Sequence, residues 1–139
     1  MRLHHHGLAV RAPKPARCWL QELGYGLGEP VEDPIQRVWL QLASGAELGT
    51  VELVWSQRDD SPLGRWLQHA PAALYHCCYE VDDIAATVAN LRRVGRAVPV
   101  GRAVPAVLFS GQRVQFLHLP GLGLVELLEA TGDRCLIRP

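Results

Sequence analysis

Two short stretches of the sequence, "HHGLAV" at residues 5–10 and "HCCYEV" at residues 76–81, decide the fold that we expect. Each starts with a histidine and ends with a valine, and the offset between the stretches is 71 residues. Three further pairs follow in the same order: "LQELG" with "LRRVG", "QRVWLQL" with "QRVQFLHL", and "GTVEL" with "GLVEL". Four matches in order indicate two copies of one module of about 70 residues.

Each copy shows the same order of elements. A strand comes first, because the quoted stretches alternate in polarity or are rich in β-branched residues. A helix follows in each copy. In the second copy it is "IAATVANLRRVG", capped by Asp82 or Asp83 and ended by Gly95; in the first it is "ARCWLQELG", which two prolines precede. A Pro/Gly-rich connection and at least two more strands complete a module of βαβββ type.

We expect a single domain over residues 1–139. Module one spans about 3–55 and module two about 74–130, while 131–139 form a tail. The linker at 56–73 is expected to contain a short helix from Pro62 to His69. A solenoid needs more than two repeats, so a pseudo-symmetric pair of modules is the expected arrangement.

The composition argues against a protein that binds nucleic acid or a membrane surface. The 14 Lys and Arg residues balance the 14 Asp and Glu residues. There is therefore no basic field to attract nucleic acid or an anionic membrane. No apolar run reaches the ~18 residues of a membrane span, and the start lacks the pattern of a signal peptide, so a cytoplasmic location is expected. The four cysteines form no CxxC pair, and we expect all of them to be small, mostly buried apolar residues.

The alternation of the predicted strands places one histidine and one glutamate of each module on corresponding faces. His5 and His76 share their faces with small residues, whereas Glu52 and Glu126 oppose the apolar faces of matching "VEL" triplets. If the two modules pair, these four side chains can converge. A lone histidine in a strand is usually structural, but a carboxylate is costly to bury without a partner, and the matched set favours a site.

Two imidazoles and two carboxylates suit a divalent metal ion with open coordination positions: Zn, Ni, Co, Fe, Mn or Mg. The neighbours His4 and His6 are expected to face the other way and to take no part. His69 and His118 lack matching partners and are interpreted as structural.

These motifs resemble the vicinal oxygen chelate superfamily, which includes glyoxalase I, methylmalonyl-CoA epimerase, extradiol dioxygenases and bleomycin-resistance proteins. The resemblance covers residues 3–130, and "LYHCCYEVDDI" is closest to the epimerase-like branch. It implies an α+β fold in which two paired βαβββ modules form a partly closed sheet around a metal. It also implies that the metal ligands are His5, Glu52, His76 and Glu126.

The resemblance implies a metal-stabilised enolate formed from a small substrate with vicinal oxygens. Epimerases carry a further carboxylate base on the strand that matches residues 36–42, where this chain has no acid. A metal-side carboxylate, Glu126 or Glu52, is therefore the expected base, and the resemblance favours Glu126.

Further residues are weaker candidates for contact with the substrate. Gln36 and Gln112 are candidate polar residues of the cavity wall. Arg37 and Arg113, which are matched in the repeat, are either contacts for an anionic substrate or solvated charges.

Three functions remain open. The first is a metal-dependent isomerase, epimerase or lyase; the second is a non-catalytic ligand-binding or antibiotic-resistance protein; the third is a metal-dependent dioxygenase. The complete set of four candidate ligands favours an enzyme. A small-molecule substrate is the expected partner, and a homodimer is an alternative to a monomer.

Overall fold

The computed structural model describes residues 1–131, which contain nine strands and two α-helices. A 3-10 helix also forms at Val107–Phe109. The bounds of module one are β1 (Arg2–Val10), α1 (Pro13–Glu22), β2 (Gly26–Leu27), β3 (Val31–Asp33), β4 (Val38–Gly45) and β5 (Leu48–Trp55). Those of module two are β6 (Ala72–Val81), α2 (Ile84–Val94), β7 (Val98–Pro105), β8 (Arg113–Leu119) and β9 (Gly123–Glu129).

All nine strands belong to one sheet. Counted outward from the centre, equivalent strands of the two modules follow one another in the same order on both sides. The order is β2-β4-β5-β1-β6-β9-β8-β7, with β3 also pairing with β4. The equivalent pairs are β1 with β6, β5 with β9, and β4 with β8. The sheet ends at β2 and β7 and does not close into a barrel. The α+β fold with two paired modules is confirmed.

The centre of the sheet is the antiparallel pair of β1 and β6. His6 pairs with Cys77, and the flanking pairs are His5 with Cys78 and Gly7 with His76. These flanking pairs exchange under the repeat, so a pseudo-twofold axis passes through the His6–Cys77 pair. The two histidines at equivalent positions therefore lie on neighbouring strands close to this axis.

The two helices cover one face of the sheet, and irregular segments cover the ends of the other. Helix α1 packs against Val10, Leu53 and Trp55, and α2 packs against Val81, Val125 and Leu127. On the opposite face, the linker buries its own apolar side chains against module one, and the 3-10 helix buries Phe109 against module two. The middle of this second face is left to polar side chains.

The ends of α2 are capped as the sequence predicts, whereas the start of α1 differs from the prediction. Asp83 caps α2, its side chain accepting a hydrogen bond from the backbone N–H of Ala86 at 2.8 Å, and Gly95 ends the helix. Pro13 and Pro15 do not precede α1 but lie in its first turn. Proline is tolerated there because the first backbone N–H groups of a helix have no partner within the helix.

The predicted linker helix from Pro62 to His69 is wrong, because these residues form turns and bends. Leu63 and Leu67 are both inserted into the core beneath the sheet. The guanidinium of Arg11 donates to the carbonyls of Leu67 and Gln68. One helical hydrogen bond forms, from the backbone N–H of Leu67 to the carbonyl of Leu63 at 3.1 Å, but no continuous helix develops from it.

The cysteine prediction is also wrong in part. Cys78 is buried, Cys77 is half-buried and Cys18 is exposed on α1. Cys135 and the predicted tail from residue 132 lie outside the described residues. Within those residues, no helix has the length and apolar character needed to cross a bilayer.

One of the sequence matches is shifted by two residues. Leu42 pairs with Glu52 and Phe116 pairs with Glu126, so Leu42 and Phe116 are equivalent in the structure. The two "QRV" triplets are therefore not equivalent. A shift of two keeps every side chain on the same face of a strand, so the alternation of polarity could not reveal it.

Candidate metal centre and the cavity beside it

Four buried polar side chains meet at the centre of the sheet. His5 on β1, Glu52 on β5, His76 on β6 and Glu126 on β9 are each less than 5% exposed. Their strands are adjacent in the order β5-β1-β6-β9. The structure thus brings together all four residues that the sequence suggested as metal ligands.

The donor atoms of these residues are closely spaced. His5 Nε2 lies 3.3 Å from Glu126 Oε2 and 3.6 Å from Glu52 Oε2. His76 Nε2 lies 3.5 Å and 3.6 Å from the same oxygens, and the two Nε2 atoms are 3.2 Å apart. An ion bound at about 2.0–2.2 Å from nitrogen and oxygen ligands holds neighbouring donors roughly 3–4 Å apart. The spacing therefore suits a single ion.

The hydrogen bonding of the cluster is incomplete. Among residues 1–131, the buried atoms Glu126 Oε2 and His76 Nδ1 find no aligned hydrogen-bond partner. A buried carboxylate oxygen without a donor costs free energy of order 1–3 kcal/mol or more. A cation would satisfy this oxygen, and the two carboxylates would offset its charge. The donor set thus fits a divalent metal ion.

Protons compete with a cation for this cluster. Burial lowers the pKa of His5, but its interactions with Glu126 and Glu52 outweigh burial and raise it to about 9. Burial raises the pKa of Glu126, but its interactions with His5 and His76 outweigh burial and lower it to about 2. A metal must therefore displace a proton from His5, so metal binding and proton release are coupled.

The absence of a side chain at Gly7 leaves the space that the His76 ring occupies. An added Cβ at residue 7 would overlap the imidazole of His76. The ring thus lies directly over the backbone of β1, and a side chain on Gly7 would push it out of the cluster. The small residue that the sequence showed on this face is a steric requirement of the site.

Two β-bulges change the neighbours of the histidine pair. The register of β1 and β6 is irregular between Leu3 and His5, and again between Gly7 and Leu8. The extra residues are His4 on β1 and Tyr75 on β6, which occupy equivalent positions in the repeat. A bulge breaks the alternation of side chains and can redirect one of them toward a site.

His4 is consequently not the bystander that strand alternation predicted. Its Nδ1 lies 2.9 Å from His5 Nδ1, and the two rings meet edge to face. Burial, followed by the neighbouring His5, lowers the pKa of His4. His6 does lie on the other face, where its Nδ1 is 3.4 Å from Cys77 Sγ.

A cavity of about 410 Å³ lies on the far side of Tyr75 and Phe116 from the cluster, and none of the four cluster residues is among its wall residues. Tyr75 and Phe116 line it and also contact the His76 ring, with centroid distances of 4.5 Å and 5.3 Å. The walls are mostly apolar, as is usual for sites that bind small molecules. The remaining wall residues are Gln36, Val38, Pro62, Leu63, Arg65, Trp66, Val100, His118 and Leu124.

Of the three weaker candidates for substrate binding, only Gln36 lines the cavity, whereas Gln112 and Arg113 do not. Gln36 lines the cavity, and its side-chain amide donates to Asp33 at 3.1 Å. Gln112 does not reach the cavity wall, because its amide donates to the backbone carbonyl of Glu129 at 2.8 Å. Arg113 lies 3.9 Å from the Glu129 carboxylate and is largely exposed.

Arg37 pairs with Asp60 at 2.7 Å on the surface. Of the two readings that the sequence left open, the structure places this side chain among solvated charges.

Sequence reasoning missed three polar residues of the cavity wall, which are Arg65, Tyr75 and His118. Tyr75 is the extra residue of the bulge in β6, and burial together with Glu52 and Glu126 raises the pKa of its phenol well above the usual value. It therefore remains a hydrogen-bond donor at neutral pH. His118 was interpreted as structural, but it lines the cavity. No local pattern in the sequence marks Tyr75, because its place beside His76 depends on the bulge in β6.

Comparison with known proteins agrees with this architecture. The family model described as the glyoxalase/bleomycin resistance protein/dioxygenase superfamily matches residues 4–116. An ethylmalonyl-CoA/methylmalonyl-CoA epimerase of Cereibacter sphaeroides is 30% identical over 122 residues, which cover 84% of this chain and 87% of the relative.

Solved structures show the same fold. The methylmalonyl-CoA epimerase from Mycobacterium tuberculosis superposes with a TM-score of 0.80 at 22% identity, covering 94% of this chain and 88% of that one. A methylmalonyl-CoA epimerase in complex with methylmalonyl-CoA and NH4+ gives 0.76 at 21% identity, covering 94% and 95%. The chain belongs to the glyoxalase/bleomycin resistance protein/dioxygenase superfamily, in its methylmalonyl-CoA epimerase-like branch.

Proposed function

We propose that this protein is a metal-dependent epimerase that acts on an acyl-CoA thioester of the malonyl type. The observation that carries the proposal is the buried set of two histidines and two glutamates beside an apolar cavity. The name of the Cereibacter sphaeroides relative supports ethylmalonyl-CoA and methylmalonyl-CoA as the first substrates to test.

The ion would be held by His5, Glu52, His76 and Glu126. A divalent ion bound there supplies positive charge that stabilises the negative charge developing on neighbouring substrate oxygens. The protein excludes water from this position, since the four side chains are buried. Low local polarity strengthens electrostatic stabilisation of this kind.

The proton acceptor is best assigned to Glu126. Its strand continues into the cavity wall through Leu124, and its cross-strand partner Phe116 also lines the cavity. The cross-strand partner of Glu52 is Leu42, which packs against the core of module two and is not a wall residue of the cavity. Of the two carboxylates, Glu126 is thus on the side from which a substrate would approach.

No separate carboxylate base replaces it. Strand β4 carries no acid, and the cavity-wall residues identified within 1–131 include none. Asp33 is fully buried, but it accepts hydrogen bonds from the backbone N–H groups of Ile35 and Gln36 and from the Gln36 amide. These contacts fix Asp33 as a structural residue of the turn.

Epimerisation must also return a proton to the opposite face of the carbon. The cavity wall offers two side chains for this step, the Tyr75 hydroxyl and the His118 imidazole. Tyr75 is the closer to the cluster, because its ring contacts His76. Its raised pKa keeps it protonated, so Tyr75 suits donation of a hydrogen bond to the substrate, whereas transfer of its proton is disfavoured and falls to His118.

Deuterium exchange tests the proposal directly. The zinc- or cobalt-loaded protein is incubated in D2O with ethylmalonyl-CoA or methylmalonyl-CoA of one configuration, and both deuterium content and configuration are followed. We expect metal-dependent incorporation of deuterium at the carbon between the two carbonyl groups, together with epimerisation at that carbon. Tight binding of the thioesters without exchange would instead identify a ligand-binding protein.

A further inference from the structure

We propose that His4 is a positioning residue that holds the imidazole of His5 in the tautomer and orientation needed to bind a metal ion. This inference rests on the proposed metal site but not on the proposed reaction. It starts from the bulge in β1, which places His4 beside His5 instead of on the opposite face of the sheet.

The protonation of the His5 ring follows from its contacts. Its Nε2 faces Glu52, Glu126 and His76 and would have to carry a lone pair to bind an ion. The ring proton must then reside on Nδ1, which lies 2.9 Å from His4 Nδ1. His4 accepts this proton in a hydrogen bond. Metal-binding histidines usually donate their other ring N–H to a carboxylate, a backbone carbonyl or water, which fixes the tautomer, and His4 Nδ1 takes the place of that acceptor here.

The orientation of both rings is held by the same neighbour. Phe109 packs edge to face against His4 at 5.1 Å and stacks against His5 at 5.6 Å between ring centroids. Phe109 belongs to the 3-10 helix that covers module two. The two histidines and this phenylalanine therefore form one packed unit, and His4 cannot turn away without breaking it.

The second histidine of the cluster is held differently. His76 Nδ1 has no hydrogen-bond partner among residues 1–131, and Tyr75, at the position equivalent to His4, contacts it with the ring only. Packing by Tyr75 and Phe116 positions His76 in place of a hydrogen bond. Removing the acceptor at residue 4 should therefore affect the Nδ1–H of His5 and leave His76 unchanged.

A direct role for His4 as a ligand is the main alternative. Donor atoms of His4, His5 and Cys78 also lie within 4.8 Å of one another. However, burial and the nearby Glu126 raise the pKa of the Cys78 thiol, which disfavours the thiolate that a metal requires. The number of ions bound per chain separates the two roles.

The experiment compares His4→Asn, which keeps a hydrogen-bond acceptor on a short side chain, with His4→Leu, which removes it. His6→Ala is the matched control on the opposite face of the same strand. Zinc and cobalt affinities are measured by competition titration without substrate, and the His5 Nδ1–H resonance of the zinc-loaded proteins is followed by NMR. Thermal unfolding with a chelator present shows whether each variant folds.

We expect His4→Leu to lose about 10–100-fold in affinity, the usual effect of removing such a partner. The His5 Nδ1–H should then exchange rapidly with water, while His4→Asn and His6→Ala stay close to the parent protein. Equal affinity and an unchanged resonance in His4→Leu would overturn the inference, as would two bound ions in the parent protein and one in His4→Leu. Loss of acyl-CoA exchange with these results intact would contradict only the proposed reaction.

Discussion

The Nε2 atoms of His5 and His76 lie 3.2 Å apart, although 71 residues separate them in the chain. Their strands pair directly, and the absence of a side chain at Gly7 lets the His76 ring lie over the backbone of β1. Two imidazole nitrogens at this distance repel unless a proton or a cation lies between them. The carboxylates of Glu52 and Glu126 complete a site that favours such a positive charge.

The first prediction concerns metal stoichiometry. We expect one divalent ion per chain, and His76→Ala should weaken its binding by more than about 100-fold, because loss of a ligand exceeds the effect of losing a hydrogen-bond partner. Elemental analysis and competition titration measure both quantities. His69→Ala, at an exposed histidine outside the cluster, should bind as the parent protein does. Unchanged affinity in His76→Ala would refute the assignment.

The second prediction concerns the proton acceptor. Glu126→Gln keeps an oxygen for coordination but removes the base, so the rate of deuterium exchange should fall by about 10²-fold or more. Metal content, measured in parallel, must be retained for the comparison to be valid. Glu52→Gln is the matched variant in module one and should lose less activity. The reverse order of the two effects would transfer the role to Glu52.

The third prediction concerns the cavity. Tyr75→Phe removes one hydroxyl while keeping the ring that packs against His76. Metal affinity should therefore stay unchanged while exchange slows by about 10²-fold, the low end expected for loss of a hydrogen-bond donor to the developing charge. His118→Gln tests the proton carrier in the same assay. If neither change slows exchange, water returns the proton.

The fourth prediction concerns pH in the presence of a chelator. The pKa of His5 is raised from 6.5 to about 9, so its contribution to stability is complete below pH 6.5 and is lost as the pH rises through 9. The pKa of Glu126 is lowered from 4.5 to about 2, so its contribution is complete above pH 4.5 and is lost as the pH falls through 2. Stability from these two groups should be greatest between pH 4.5 and 6.5.

Thermal unfolding across this pH range measures the effect. His5→Gln should flatten the alkaline limb and leave most of the acid limb in place, since Glu126 retains His76 as a partner. A parent protein whose stability does not decline between pH 6.5 and 9 would contradict the raised pKa of His5. Metal affinity should rise over the same interval, because binding releases the proton of His5.

The fifth prediction tests the steric role of Gly7. An alanine methyl group at this position overlaps the His76 ring, so Gly7→Ala should displace the ring and greatly reduce metal affinity. Overpacking of this kind typically destabilises a fold by about 1–3 kcal/mol. Gly49→Ala on β5 is the control, because an added Cβ there meets no atom within 4 Å. Chemical denaturation and metal titration of both variants provide the comparison.

The extent of sequence-based prediction differs between the fold and the site. The repeat of a histidine strand, a helix and a "VEL" strand was sufficient to predict the paired modules, because each module must bury an apolar face that it cannot cover alone. Strand alternation placed His5, Glu52, His76 and Glu126 on faces where they could meet. The structure brings these four side chains together as expected.

Strand alternation was less reliable near irregularities. It assigned His4 to the wrong face because a bulge adds a residue without any strong local signal in the sequence. Matching of the sequence repeat aligned the two "QRV" triplets, although the true equivalence of β4 and β8 differs by two residues. Gln112 and Arg113 became candidates through that alignment, and the structure places both against Glu129.

The sequence by itself determined the two-module architecture and the identity of the four clustered residues, since periodicity and internal repetition are properties of the chain. Only the tertiary structure decided which neighbours surround them: His4 beside His5, and Tyr75 and Phe116 beside His76. These contacts depend on the register of strands that are distant in the chain and on two bulges between them. The alternation of polar and apolar residues fixes which face a side chain occupies, but it permits shifts of two residues, so packing across the sheet decides the final register.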